Sequence, residues 1–169
     1  MTPAPKLPPE ELQRLYAALG RALWHLQCVE DALNVLLTVK HEIGGPGLVT
    51  ETEARALLTK RRRTTMGPSV KLARQTQLIS DEELERLERL KTERDWVAHK
   101  VQYSAGDSIL SPWGRLDLLR RLNQITSESQ ATLSVLVDEM RRFVGSTGND
   151  VVVPARLAAM IEADRASEA

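Results

Sequence analysis

"LQRLYAALGRALWHLQCVEDALNVLL", residues 12–37, decides the fold class. Leu12, Leu15, Tyr16, Leu19, Leu23, Leu26, Val29, Leu33, Leu36 and Leu37 recur at spacings of three and four, which places them on one stripe of a long helix. Pro8 and Pro9 suit its start, because the first helical turn has no need of its N–H donors. "GGPG" at 44–47 stops it. A stripe this long needs other apolar surface to cover it.

The rest of the chain offers helices for that purpose. Ala54, Leu57 and Leu58 predict a second helix from Thr50 to about Arg61. "TTMGPSV" interrupts the pattern, and a short third helix is expected from about Pro68 to Leu78. "SDEE" at 80–83 carries a capping-box signature, with Ser80 at the N-cap and Glu83 three residues on, and opens a fourth helix that should run to about Tyr103. "SAGDSILSPWG" reads as a loop with a short extended piece at Ile109 and Leu110. A fifth helix, about Arg115 to Val144, shows Leu118, Leu122, Ile125, Leu133, Leu136, Val137, Met140 and Phe143 in register. "GSTGND" ends it. With no strand pairs and no internal repeat, the expectation is an all-α, up-and-down bundle of about five helices over residues 10–145. A flexible segment, 1–9, precedes it. An extension, 146–169, with a strand-like "VVV" and a short helix, follows.

Composition narrows the classes of function. Lys plus Arg and Asp plus Glu each total 23, so no global basic field exists and nucleic-acid contact would need a local patch. Cys28 is the only cysteine, which excludes an intrachain disulfide. "MTPAPKLPPE" lacks the apolar core of a secretory signal, and no run reaches the roughly 18 apolar residues of a membrane span. A soluble, cytoplasmic protein without a membrane partner is expected.

The fourth helix contains "LKTERDWVAHK", residues 90–100. At about 100° per residue, Leu84, Leu87, Leu90, Lys91, Arg94, Val97, Ala98 and Val101 share a face, with Arg94 near its centre. A buried guanidinium requires a carboxylate opposite, and Glu30, beside Asp31 on the first helix, is the preferred partner. His99 lies about 140° round from Arg94, on a face with Trp96 and Tyr103. Asp95 stands four residues before His99 and is placed to orient its ring. A second apolar face on a bundle helix suggests a docking surface, a second copy being the simplest candidate, with Trp96 and Tyr103 in the interface. Periodicity alone also allows a plainer account: Arg94 snorkelling to water, Asp95 and His99 an exposed pair, Trp96 ordinary core.

The string "RDWVAH", with Arg94, Asp95 and His99, resembles the R-x4-H motif of the HEPN superfamily, in which Asn is commoner after the arginine. "LGRALWHLQCVEDALNVLL" is similar to the first long helix of bacterial members, with Trp24, Glu30 and Leu33 at the corresponding places. "TTMGPSVKL" resembles a Thr-x-Gly turn of some families, and the likeness covers about residues 12–144. The resemblance implies a homodimeric, metal-independent endoribonuclease without a cofactor, in which two R-x4-H helices form one composite cleft. Arg94, His99 and Asp95 would be the catalytic set, with Glu30 the structural partner of the site. A bacterial toxin, phage-defence or stress role follows from the same likeness, with an antitoxin or nucleotidyltransferase as a possible partner. In some toxins a modifiable tyrosine stands two residues after the histidine; Val101 holds that place here.

Other features are less specific. "KRRR", Lys60, Arg61, Arg62 and Arg63, reads either as a solvated helix end or, with Lys100, as a phosphate-tracking patch for RNA. His25, His41 and His99 have no metal-ligand spacing, and "HEIGG" lacks the second histidine of a zinc motif. His25 reads as a packed or interface histidine, and Cys28 as a small core residue. Two alternatives stay open: a non-catalytic nucleotide- or RNA-binding module, and a plain helical dimerisation protein.

Overall fold

The computed structural model describes residues 8–45 and 48–146, so most of the flexible segment 1–9 and nearly all of the extension 146–169, "VVV" included, lie outside the described residues. Among the described residues there are six α-helices: α1 Pro9–Leu37, α2 Glu51–Arg61, α3 Met66–Thr76, α4 Asp81–His99, α5 Val101–Ala105 and α6 Pro112–Ser146. A π-helical turn, Thr38–Ile43, extends α1, and a 3-10 turn, Ser108–Leu110, precedes α6. Among the described residues there is no strand, and no helix is long and apolar enough to cross a membrane.

The stripe of α1 forms the axis of the core. Leu26, Leu33, Leu36 and Leu37 are fully buried against Leu87 and Leu90 of α4 and Leu122 and Leu136 of α6. Each such side chain contributes about 1.5–3 kcal/mol on leaving water. The three long helices alternate in direction. Glu11 pairs with Arg115 and Lys40 with Glu139, so α1 and α6 run parallel. Arg94 of α4 reaches Glu30, while Val97 lies level with Leu12 and Leu15, so α4 runs the opposite way. α3 follows α1, matching Met66 to Glu30 and Ser69 to Asn34.

Helix ends follow local chemistry. Ser80 Oγ accepts the N–H of Glu83 at 3.2 Å, as the sequence signature requires. A reciprocal capping box stands at Thr50 and Glu53, where it was not anticipated. Gly44, at φ +72°, closes the π turn in the left-handed region open to glycine.

Several boundaries depart from expectation. The third helix starts at Met66 rather than Pro68, because a proline two residues inside a helix still gives up no needed N–H. Ile109 and Leu110 form a 3-10 turn, not an extended piece. α6 begins at Pro112, where Ser111 Oγ accepts the Gly114 N–H at 3.0 Å as an N-cap. The expected helix to Tyr103 breaks at Lys100, whose φ of −120° and ψ of −17° leave the helical region. Ser104 Oγ donates to Lys100 O four residues back at 2.9 Å, a bond of the kind that bends helices. Thr38 makes the same bond to Asn34 O at 2.8 Å where α1 passes into the π turn.

Candidate functional site around Arg94 and His99

Glu30 is the hub of the site. Its Oε2 lies 3.8 Å from Arg94 Nε and accepts the backbone N–H of Met66 at 3.2 Å. Thr65, the N-cap of α3, uses no side-chain bond there, so the carboxylate of another helix supplies what a capping residue would. A negative group at a helix N-terminus is favourable in its own right. Glu30 therefore ties α1, α3 and α4 together.

The next residues of α1 extend this dock. Asp31 accepts from Arg62 Nε at 2.6 Å and Nη2 at 2.9 Å, a two-pronged pair. Asn34, one turn on, is buried; its Oδ1 accepts from Ser69 Oγ at 2.7 Å, and its Nδ2 donates to Thr64 O at 3.3 Å. Residues 62–69 are thus pinned to one face of α1 by Glu30, Asp31 and Asn34. Asn34 and Ser69 lie within stretches quoted above but escaped the sequence reading, because a neutral polar side chain makes no demand for a partner that the sequence displays.

Arg94 is placed at the margin of the core, not at its centre. Its side chain keeps 26 % of its exposure, whereas Leu84, Leu87, Leu90 and Val97 are buried. The flexible stem lets the head leave the stripe for the carboxylates, which removes the cost of an unpaired buried charge. Glu30 was anticipated as its partner and is one. Asp95 behaves otherwise than expected: its Oδ1 accepts from Arg94 Nη1 at 3.3 Å and does not orient His99. Among the described residues, nothing hydrogen-bonds the His99 imidazole.

His99 is the last residue of α4, exposed, on the rim of a groove of about 530 Å³. Leu12, Leu15, Val101, Leu118 and Leu122 are among its apolar lining residues, and Tyr16 and Gln102 also line it. Arg94 is not among the residues that line this groove.

The break at Lys100 separates Tyr103 from Trp96 and His99, which stay three residues apart on α4, and Trp96 is half-buried and already partnered. The Arg121 guanidinium stacks 3.6 Å from its ring centre, and its Nε1 donates to Ser104 Oγ at 2.8 Å. Arg121 is itself held by both carboxylate oxygens of Glu93 at 3.1 Å. Tyr103 is 87 % exposed.

The basic run is divided. Arg61 pairs with Glu42, and Arg62 with Asp31, while Lys60, Arg63 and Lys100 remain exposed to solvent. Only the last three keep a charge unassigned to an internal ion pair. His25 and Cys28 are both buried in α1. Among the described residues, no three His, Cys, Asp or Glu side chains converge to hold a metal ion. No family model matches the sequence, and no curated protein or solved structure matches it at a significant level.

Proposed function

We propose that the protein is a HEPN-type, metal-independent endoribonuclease that acts as a homodimer, in a bacterial toxin, phage-defence or stress system. The observation that carries this reading is the contrast within one helix. Arg94 is held by Glu30 and Asp95, and about one and a half turns later His99 stands exposed beside a groove. A fixed cation and a free imidazole are the two groups that phosphodiester transfer needs.

The reaction is attack by an RNA 2′-hydroxyl on the adjacent phosphorus. The new P–O2′ bond forms as the P–O5′ bond breaks, leaving a 2′,3′-cyclic phosphate and a 5′-hydroxyl. His99 takes the proton from the 2′-hydroxyl or gives one to the departing 5′-oxygen, and in a symmetric dimer the partner's His99 serves the other step. Arg94 offers its fork of donors to the charge growing on the phosphate oxygens. Lys60, Arg63 and Lys100 are free to follow the RNA backbone, a contribution that falls as salt rises. Arg94 does not line the groove beside His99, and a second copy completes the composite site.

A second reading has one observation in its favour. Asp95 pairs with Arg94 instead of His99, which suits a structural latch in a non-catalytic RNA- or nucleotide-binding module. Incubation with mixed RNA in EDTA separates the two, with Arg94→Ala and His99→Ala alongside and the oligomeric state read by light scattering. Cleavage by the wild type alone, leaving cyclic-phosphate ends, supports the ribonuclease. Intact RNA with measurable binding moves the assignment to the module. Equal cleavage by all three samples removes both residues from the site.

A further inference from the structure

We infer that Trp96 and Ser104 are positioning residues, a clamp across the Lys100 break that sets the direction in which His99 is presented. The inference deepens the ribonuclease reading and rests on it for its catalytic consequence.

The His99 imidazole makes no hydrogen bond among the described residues, so its place is dictated by the backbone that carries it. That backbone changes course at the very next residue, where Lys100 departs from helical torsion angles. Two side chains bracket the break. Trp96 stands three residues before His99, and Ser104 five residues after it. The Trp96 Nε1–H donates to Ser104 Oγ at 2.8 Å, and the Ser104 hydroxyl donates onward to Lys100 O at 2.9 Å. The same carbonyl also accepts the Ser104 N–H at 2.9 Å. A short chain of bonds therefore runs from the last turn of α4 into α5, closing on the residue beside His99.

The clamp is not floating. Arg121 of α6 stacks on Trp96 and is locked by the two-pronged pair with Glu93, one turn before Trp96. The end of α4 is thus fixed to α6 on this side and to α1 through Arg94 and Glu30 on the other. The indole N–H joins the anchored ring to the bend through a side chain, beside the backbone bond of the Lys100 N–H to Trp96 O at 2.9 Å. A phenylalanine in its place keeps the ring on which Arg121 stacks and loses only that donor. This makes the inference sharply testable.

The experiment follows the imidazole resonances of isotopically labelled protein through a pH titration in the wild type, Trp96→Phe, Ser104→Ala and Ser104→Thr, with RNA cleavage measured in parallel. His99→Gln assigns its signals. His41, at the opposite end of α1, reports any general loss of structure. Trp96→Phe and Ser104→Ala are expected to move the His99 resonances while those of His41 stay in place. kcat should fall by about tenfold or more with KM little changed, as for a displaced reacting group. Ser104→Thr, which retains the hydroxyl, should restore both. Unchanged His99 resonances in the two disruptive variants overturn the inference, whatever RNA cleavage shows. Equal displacement of His41 also overturns it, since the residues would then be general stabilisers. Absence of RNA cleavage by the wild type sinks the ribonuclease reading alone, because the resonances still decide whether the clamp positions His99.

Discussion

The two ends of the bundle are built on opposite plans. At the π-turn end, Lys40 donates to Glu139 at 2.6 Å and to Leu78 O at 3.0 Å, and lies over the Phe143 ring. Arg61 and Glu42 add a second half-buried pair there. One lysine thus joins the end of α1, the α3–α4 connection and α6. At the other end, Tyr16, Tyr103, Leu110 and Trp113 are exposed, and the groove beside His99 stands open. Polar ties close the first end upon itself, whereas the second leaves apolar surface and a titratable ring for something else to meet. The candidate chemistry lies at the end whose surface is unspent.

That contrast can be broken or sharpened by mutation. The largest effect is expected at Gly114, because a Cβ there would stand 2.0 Å from Ser108 O. Gly114→Ala should lose about 3 kcal/mol in urea unfolding, as a backbone contact leaves no flexible atom to yield. A loss under about 1 kcal/mol would show the groove end to be slack as well as exposed. Next comes Lys40→Met, which leaves Glu139 with Arg142 alone and strands the Leu78 carbonyl, and should cost about 2 kcal/mol. Neutral behaviour there would reduce the π-turn end to ordinary surface.

The same ion pair gives a pH dependence of known sign. The hydrogen bond from Lys40 holds the Glu139 carboxyl below its ordinary value of 4.5, overcoming the opposing effect of burial. A lowered value in the folded state stabilises above the unfolded value and is lost as pH falls through the folded one. The stability advantage of the wild type over Glu139→Gln should therefore be constant from neutrality to about pH 5 and shrink below 4.5. An advantage that grows on acidification would contradict the assigned pairing. Smallest of all, Tyr103→Ser and Trp113→Ser should each change stability by less than about 0.5 kcal/mol, since exposed side chains away from the core rarely matter more. A large loss would mean that this apolar surface already serves the fold.

The sequence made the helices legible wherever their causes were local. The leucine stripe of α1, the stop at Gly44 and the Ser80 cap each depend on residues within a few positions of one another. The Arg94–Glu30 pair was legible for a different reason: a charge on an apolar face demands a partner, and few carboxylates were available. The break at Lys100 was not, because the periodicity of Ala98, Val101 and Ala105 passes through it unchanged. Its causes are a serine hydroxyl and a tryptophan whose other face is occupied by an arginine from a distant helix. The Asp95–Arg94 bond was not legible, because helical spacing points Asp95 toward His99 and the bond depends on where the flexible Arg94 head lies. In "LSPW" the Ser-Pro start of α6 was present in the sequence, yet the glycine and serines around it favoured a loop.

The parallel packing of α1 and α6 carries a consequence for how the molecule forms. Their contact is the most extensive in the bundle, yet it joins the first long helix to the last. Everything between them must be laid out before that contact can close, which raises the contact order well above that of a bundle whose neighbours follow one another in sequence. On the ribosome, α3 and α4 can cover part of the α1 stripe as they emerge, but the side that meets α6 stays bare until the last helix has been synthesised. That side of α1 is therefore the last part of the core to be closed.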